Sequence, residues 1–374
     1  MKILVNFLGR KGGTALYSYE MTKALVENGA EVSAVISSRN YMLDKWKALS
    51  LKNLYLVDTY DNKYNFIINS IKFILFDRFI LRKLLKKYDI DVIYIPCFHP
   101  WYAFINKMYP RAKKIFTIHD PIPHSGGFFD NKLIWFVQKE DLKKADKIVI
   151  LSECFREYVT NFYKKENRQV CVIPHGVFNY YRNIKSKQSI EYPSDKINFL
   201  FFGRIEKYKG LLILAEAYKN LKEKYDNISL TVVGNGDFTP YDKAFRDLKD
   251  FKLINRWIDD NEVNGFFLGD NIVTVLPYLD ATQSGVINIA MINRSLVIST
   301  NVGGLKEQIK DKKTGILVES NNPKELEKAM EFAVKERNIC NGYIEAAADE
   351  MRKLSWNNLG KILLDEIKNI KIKK

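Results

Sequence analysis

Asn198-Phe199-Leu200-Phe201-Phe202-Gly203-Arg204-Ile205-Glu206-Lys207-Tyr208-Lys209-Gly210 is the stretch from which the rest of the chain can be read. A short apolar run ends in a glycine, and a cationic turn then gives way to a helical pattern over residues 210–225. A buried strand that passes through a glycine turn into a helix is the repeating unit of a parallel α/β sheet covered on both faces. The rhythm continues downstream, with strands expected at 229–233, 272–276 and 296–299 and helices at 285–293, 323–335, 343–354 and 356–374. Upstream it has already run once, through strands at 3–8, 31–37, 92–95, 114–118, 147–151 and 169–173 and a helix at 15–27. Between the two series lies a polar stretch with Asn, Ser, Lys and a Pro, read as a linker at 181–196. The expected architecture is α/β, with two Rossmann-like domains, 1–180 and 197–355, facing each other across a cleft.

The chain has 374 residues, 47% hydrophobic and 28% charged, which is enough apolar sequence for two cores. Residues 1–8 lack the apolar core of about 7–15 residues that a signal peptide carries, and no run approaches the roughly 18 apolar residues of a membrane span. Cys97, Cys154, Cys171 and Cys340 lie far apart without metal-ligand spacing. A cytoplasmic chain with reduced thiols is expected. The formal charge of +15 calls for an anionic partner: nucleic acid, a membrane surface or a phosphorylated ligand. Nucleic acid is the weakest of the three, because no helix-turn-helix, zinc-finger or RNA-binding sheet signature is present and the aromatics sit among apolar neighbours.

Several turns carry groups suited to an anion. Arg204 at the end of a strand and Lys209 five residues on offer a guanidinium fork and a point charge that suit a diphosphate, and they also read as a solvated basic loop. After strand 272–276, Thr282, Gln283, Ser284, Gly285 and Val286 open a helix whose free first-turn amides favour negative charge; Ser284 also reads as its N-cap. Gly9-Arg10-Lys11-Gly12-Gly13 follows the first strand without matching a dinucleotide fingerprint or a P-loop, so it is either an anion cradle or a tight turn. Gly234-Asn235-Gly236 is another strand-end glycine turn, and His119, at a strand's carboxyl end beside Asp120, is either structural or catalytic.

In order along the chain, Gly9 to Gly13, His119-Asp120, Pro174-His175-Gly176, Gly203-Arg204 with Lys209-Gly210, Gly234 to Gly236, Leu276-Pro277-Tyr278 and Gly303-Gly304 with Glu307 resemble one family over nearly the whole length. It is the retaining glycosyltransferases of the GT-B fold, the group 1 type common in bacterial surface-polysaccharide synthesis. The resemblance implies that Arg204 and Lys209 bind the donor diphosphate and that Gly12, Gly13, Gly203 and Gly234 approach the donor closely. It places His119 by the donor sugar, Asn255 and Arg256 at the nucleotide base, and helix 356–374 back across the first domain. The implied reaction moves a sugar from a nucleoside diphosphate to a glycan or lipid-linked hydroxyl, with the sugar nucleotide as substrate and with neither metal nor cofactor. The chain departs from the family at a pair of Glu residues around the helix after the last cleft strand, where Thr282 and Ala290 stand instead. A sugar-nucleotide epimerase of similar form and a degenerate sugar-nucleotide-binding protein are the alternatives.

Residues 65–88 interleave apolar side chains with Lys72, Arg78, Arg82, Lys83, Lys86 and Lys87 against one acid, Asp77. Such a helix lies on an anionic membrane or packs on a core with a solvated basic face. The first reading would make the protein peripheral at the inner face of the membrane.

Overall fold

The computed structural model describes residues 1–122, 132–177, 190–269 and 271–370. Residues 181–189 of the expected linker and 371–374 of the expected last helix lie outside them. Two compact units emerge, Met1–Gly176 with Ser355–Lys374, and Val177–Leu354.

The first unit is built on β1 (Lys2–Phe7), β2 (Glu31–Ser37), β3 (Asn53–Val57), β4 (Val92–Ile95), β5 (Lys113–Ile118), β6 (Lys147–Ile150) and β7 (Val170–Val172), in the order β3-β2-β1-β4-β5-β6-β7. The second holds β8 (Ile197–Phe202), β9 (Ile228–Gly234), β10 (Phe251–Asn255), β11 (Ile272–Leu276), β12 (Leu296–Thr300) and β13 (Ile316–Val318), in the order β10-β9-β8-β11-β12-β13. Every pairing among the described residues is parallel. In β1, Ile3 pairs with Val32 on one side and Val92 on the other, so the strand is central and its Ile3-Leu4-Val5 core is wholly buried. Each sheet reverses its winding once, between β1 and β4 and between β8 and β11. Ligands of open parallel sheets bind outside the carboxyl ends of the strands at such points.

β3, β10 and β13 are absent from the strands read in the sequence, and all three are sheet edges. An edge strand is covered less completely than a central one: β10 mixes half-buried and exposed residues, and β3 is mostly half-buried. In β10 the apolar run of a central parallel strand is broken by Lys252, while the apolar runs of β3 and β13, residues 54–57 and Ile316–Val318, are too short to stand out from the chain.

The first unit is closed by a distant part of the chain. Helix Trp356–Lys368 packs on helix Gly13–Glu27. Gly360 permits the approach, since a Cβ there would lie 2.6 Å from the Ala24 Cβ. The Trp356 indole fits over Gly176, where a Cβ would meet the ring at 2.5 Å, and edge-on to Tyr17 at 5.2 Å. Among the described residues no helix is long and apolar enough to cross a membrane.

Candidate functional site

In the second unit the turns after β8, β9 and β11 are fastened to one another. The Gly203 carbonyl occupies the space that a Gly234 Cβ would need, and Ile205 N–H donates to the Asn235 carbonyl at 3.0 Å. A short turn, Lys207–Lys209, ends at Gly210, whose φ of 70° is left-handed and whose missing side chain makes room for the Pro277 carbonyl. Leu279 N–H completes the join by donating to the Tyr208 carbonyl at 2.7 Å. The loop after β8 is thus clamped to the loop after β11 across the switch point.

Lys209 is held by aromatic faces. Its Nζ lies 3.6 Å from the centre of the Tyr278 ring and 4.7 Å from that of Tyr208, and among the described residues no carboxylate forms an ion pair with it. Burial pushes its pKa down from 10.5 to about 8, with the Tyr208 hydroxyl working in the opposite direction. Arg204 is 69% exposed, its Nη1 2.8 Å from the Glu206 carboxylate. A surface pair of this kind is worth about 0–1 kcal/mol and gives way readily to a ligand.

Helix Gly285–Ile292 starts on the other side of the switch point. The sequence reading of Ser284 as a side-chain N-cap is corrected here: its hydroxyl caps no amide and lies 3.4 Å from the Tyr278 hydroxyl. The reason is Gln308, whose side-chain amide grips the Ser284 peptide from the loop after β12. Ser284 N–H donates to Gln308 Oε1 at 2.8 Å, and Gln308 Nε2 donates to the Ser284 carbonyl at 3.0 Å and to Asn288 Oδ1 at 3.4 Å. The amides of Gly285 and Val286 therefore follow a fixed peptide and carry no side-chain cap. Gln283 is half-buried, with no partner for its side-chain amide among the described residues. Thr282 and Ala290 are both buried. Gln308 was not legible in the sequence: nothing distinguishes it from its neighbours until the fold brings it to Ser284.

Asn255 and Arg256, at the end of β10, have their side chains engaged within the unit. Asn255 exchanges hydrogen bonds with the Gly236 backbone at 3.0 and 3.3 Å, and Arg256 binds both oxygens of Glu262 at 2.6 and 2.9 Å. The next residue, Trp257, exposes its indole.

The first unit gathers a second set of groups. Gly12, with φ of 84°, precedes helix Gly13–Glu27, and a Cβ on Gly12 or Gly13 would meet nothing within 4 Å. Open space above a helix start with no side-chain cap leaves its amides accessible. His119 stands edge-on to Tyr17 at 4.7 Å, its Nε2 2.9 Å from the Pro96 carbonyl. A carbonyl only accepts, so Nε2 carries the proton; burial holds the imidazole below its ordinary pKa and neutral. Nδ1 is then an acceptor. Tyr17 continues into a buried hydroxyl chain through Tyr94, at 3.4 Å, to Thr117, at 2.8 Å. Tyr17 and Tyr94 read in the sequence only as core aromatics.

The structure thus brings Gly203, Arg204, Lys209, Gly234 and residues 282–286 together in the second unit. In the first, Gly12 and Gly13 open the helix whose Tyr17 packs against His119. Residues 11–178 match the sequence profile of Glycosyltransferase Family 4, and residues 183–350 that of Glycosyl transferases group 1. An uncharacterized glycosyltransferase from Methanocaldococcus jannaschii is 24% identical over 94% of this chain and 92% of its own length. A lipopolysaccharide 1,2-N-acetylglucosaminetransferase from Salmonella typhimurium is 24% identical over 72% of this chain and 70% of its own. Among solved structures, a glycosyltransferase from Rickettsia africae superposes with a TM-score of 0.72 at 19% identity, covering 99% of this chain and 98% of that one. HepE from Anabaena, solved with UDP and glucose, gives 0.72 at 14% identity over 98% and 99%. With one profile matched in each unit and the GT-B architecture along its whole length, the chain belongs to the group 1 glycosyltransferases.

Proposed function

We propose that the protein transfers a sugar from a nucleoside diphosphate to a hydroxyl of a glycan or lipid-linked glycan, with retention at the anomeric carbon, as a step of polysaccharide assembly. The observation that carries this reading is the half-buried ammonium of Lys209, without a carboxylate partner, on the same switch point as a helix start whose first amides carry no side-chain cap. Charge that develops on a departing diphosphate is stabilised most by donors already fixed in a partly dry site, each typically worth a hundredfold or more in rate. Lys209 and the Gly285 and Val286 amides are such donors, and Arg204 joins them by exchanging Glu206 for a phosphate oxygen. The reading asks for no metal or cofactor, because these groups supply the positive potential. The base belongs at residues 255–257, where the exposed Trp257 indole offers a flat apolar surface. Gly12, Gly13 and His119 serve the sugar, with His119 Nδ1 accepting from a sugar hydroxyl. Retention follows when the acceptor hydroxyl is positioned on the face from which the diphosphate leaves, so orientation supplies much of the rate.

The named relatives support this reading, one being a lipopolysaccharide 1,2-N-acetylglucosaminetransferase and another, HepE, solved with UDP and glucose. The test is turnover of radiolabelled UDP- and GDP-sugars with glycan and lipid-linked acceptors, in buffer with and without EDTA, and with the product's anomeric configuration read by NMR. A longer glycan of unchanged anomeric configuration, formed equally in EDTA, is expected. An isomerised nucleotide would instead make the protein an epimerase, and tight binding without any product would make it a binding protein.

A further inference from the structure

Three consecutive segments, Lys63–Lys72, Phe73–Asp77 and Arg78–Leu85, form one continuous helix on the first unit, the middle one a π-turn. Its inner face is fully accounted for. Phe73, Leu81 and Leu85 belong to the core of the first unit and half-buried Phe66 packs against it, Phe73 stacks on Trp101 at 4.9 Å, and Ser70 accepts from the Trp101 indole at 3.0 Å. An amphipathic helix docked in this way turns polar residues to solvent. Here the outer face is apolar as well: Tyr64, Ile67, Ile68, Ile71, Leu75, Phe76, Phe79, Ile80 and Leu84 are each more than 40% exposed. Edge strand β3 extends the patch with Leu56.

The π-turn keeps the two faces apart along the whole length. Between Phe66 and Leu85 a regular helix, at about 100° per residue, would accumulate about 100° beyond whole turns and twist the outer stripe into the core. The extra residue taken up by a π-turn cancels that drift, so Phe66 and Leu85 both face inward and the outer stripe stays outward.

The charge around the stripe identifies what covers it. Lys72, Arg82, Lys83, Lys86 and Lys87 are exposed along and just beyond the helix, while its one acid, Asp77, is 3.8 Å from Lys72. A second copy of the chain would set +15 against +15, with Asp77, the one carboxylate on the helix, already beside Lys72. An apolar stripe this large, bordered by cations, instead fits a surface with hydrocarbon below and negative charge above. We infer that this helix lies in the headgroup region of an anionic bilayer, with residues 64–80 entering the acyl boundary and Arg82, Lys83, Lys86 and Lys87 on the phosphates.

The experiment is co-sedimentation of the full chain, without sugar nucleotide, with phosphatidylcholine vesicles containing or lacking about one-third phosphatidylglycerol; its outcome is independent of the transferase reading. Binding to the anionic vesicles, at least tenfold stronger than to the neutral ones and weakened by salt, is expected. The triple variant Ile71→Ser, Phe76→Ser, Phe79→Ser and the quadruple variant Arg82→Glu, Lys83→Glu, Lys86→Glu, Lys87→Glu should each lower partitioning at least tenfold. Both alter exposed side chains and should melt at the parent temperature, which circular dichroism checks. Equal sedimentation of parent and variants, or equal binding to both vesicle types, would overturn the inference. So would a dimer, seen by light scattering, that the triple variant dissociates while the parent ignores vesicles.

Discussion

Lys209 is a cation that the free protein holds loosely and a bound diphosphate would hold tightly. Its pKa of about 8 lies below the 10.5 of an exposed lysine, so between these values the unfolded chain binds more protons than the folded one. Stability without ligand therefore gains from this group as pH rises through that window. Donor affinity moves the other way, because binding above pH 8 must first return the proton. Calorimetry in buffers of different ionisation enthalpy should show proton uptake on donor binding near pH 8.5, and affinity should fall by up to tenfold per pH unit above that; Lys209→Arg should flatten both. Arg204→Ala and Lys209→Ala should each lower kcat by about a hundredfold or more with the fold intact, a loss of roughly 3 kcal/mol in the transition state. Near-normal kcat in both would remove the diphosphate assignment. Gln308 acts at one remove, through the Ser284 peptide. Gln308→Leu should raise the donor KM about tenfold and lower stability by about 1–3 kcal/mol, since Ser284 N–H loses its acceptor. Gln308→Glu keeps that acceptor but sets a carboxylate oxygen against the Ser284 carbonyl and Asn288 Oδ1, so it should lose about as much stability as Gln308→Leu, while its negative charge beside the helix start should raise KM further. Kinetics paired with melting curves separates the positioning role, in which KM and Tm part company, from a purely structural one.

At the scale of elements, the proposed reading turns on helix Gly285–Ile292 and the turn before it, and it sets Ala290 and Thr282 in the places of the two carboxylates of the resembled family. On that reading Gln283, half-buried and without a partner among the described residues, is the polar group that remains, and an amide contact of about 0.5–1.5 kcal/mol in place of about 1.5–3 from a carboxylate would make donor affinity modest. Gln283→Ala should cost activity, whereas Ala290→Glu should not improve it, because Ala290 is wholly buried and overpacking costs about 1–3 kcal/mol. An active Gln283→Ala enzyme, or an Ala290→Glu enzyme with lower KM and full kcat, would show that this helix has been matched to the wrong register. The same element shows what a sequence can carry. Runs such as Val273-Thr274-Val275-Leu276 and glycine turns such as Gly203 to Gly210 announce central strands and their ends, because burial and left-handed backbone restrict composition locally. Lys209 and Arg204 were legible for that reason, by their place after a strand. Gln308 and the Tyr17–Tyr94–Thr117 chain were not, since contacts made by distant segments leave no local pattern. The edge strands escaped for another reason, β10 because incomplete burial admits a lysine and β3 because its apolar run is only four residues long.

At the scale of the molecule, the first unit depends on the last helix. Trp356, 7% exposed, fills the space over Gly176 and against Tyr17, so Trp356→Ala should remove about 3–5 kcal/mol from that unit. In scanning calorimetry its transition should fall by on the order of 10 °C while that of the second unit holds. Gly360→Leu should act similarly by forcing the two helices apart at Ala24. A single unchanged transition in either variant would mean that the helix contributes little. The return of the chain also sets a timetable for synthesis. Everything from Val177 to Leu354 leaves the ribosome before the closing helix does, which at about 5–20 residues per second takes on the order of 10–40 s. For that interval the nascent first unit shows the bare Tyr17 and Ala24 face of its first helix, and the second unit has all its residues before the closing helix emerges. The protein is therefore made in the order middle, then ends, and the face awaiting Trp356 is where a holding chaperone would find its hold.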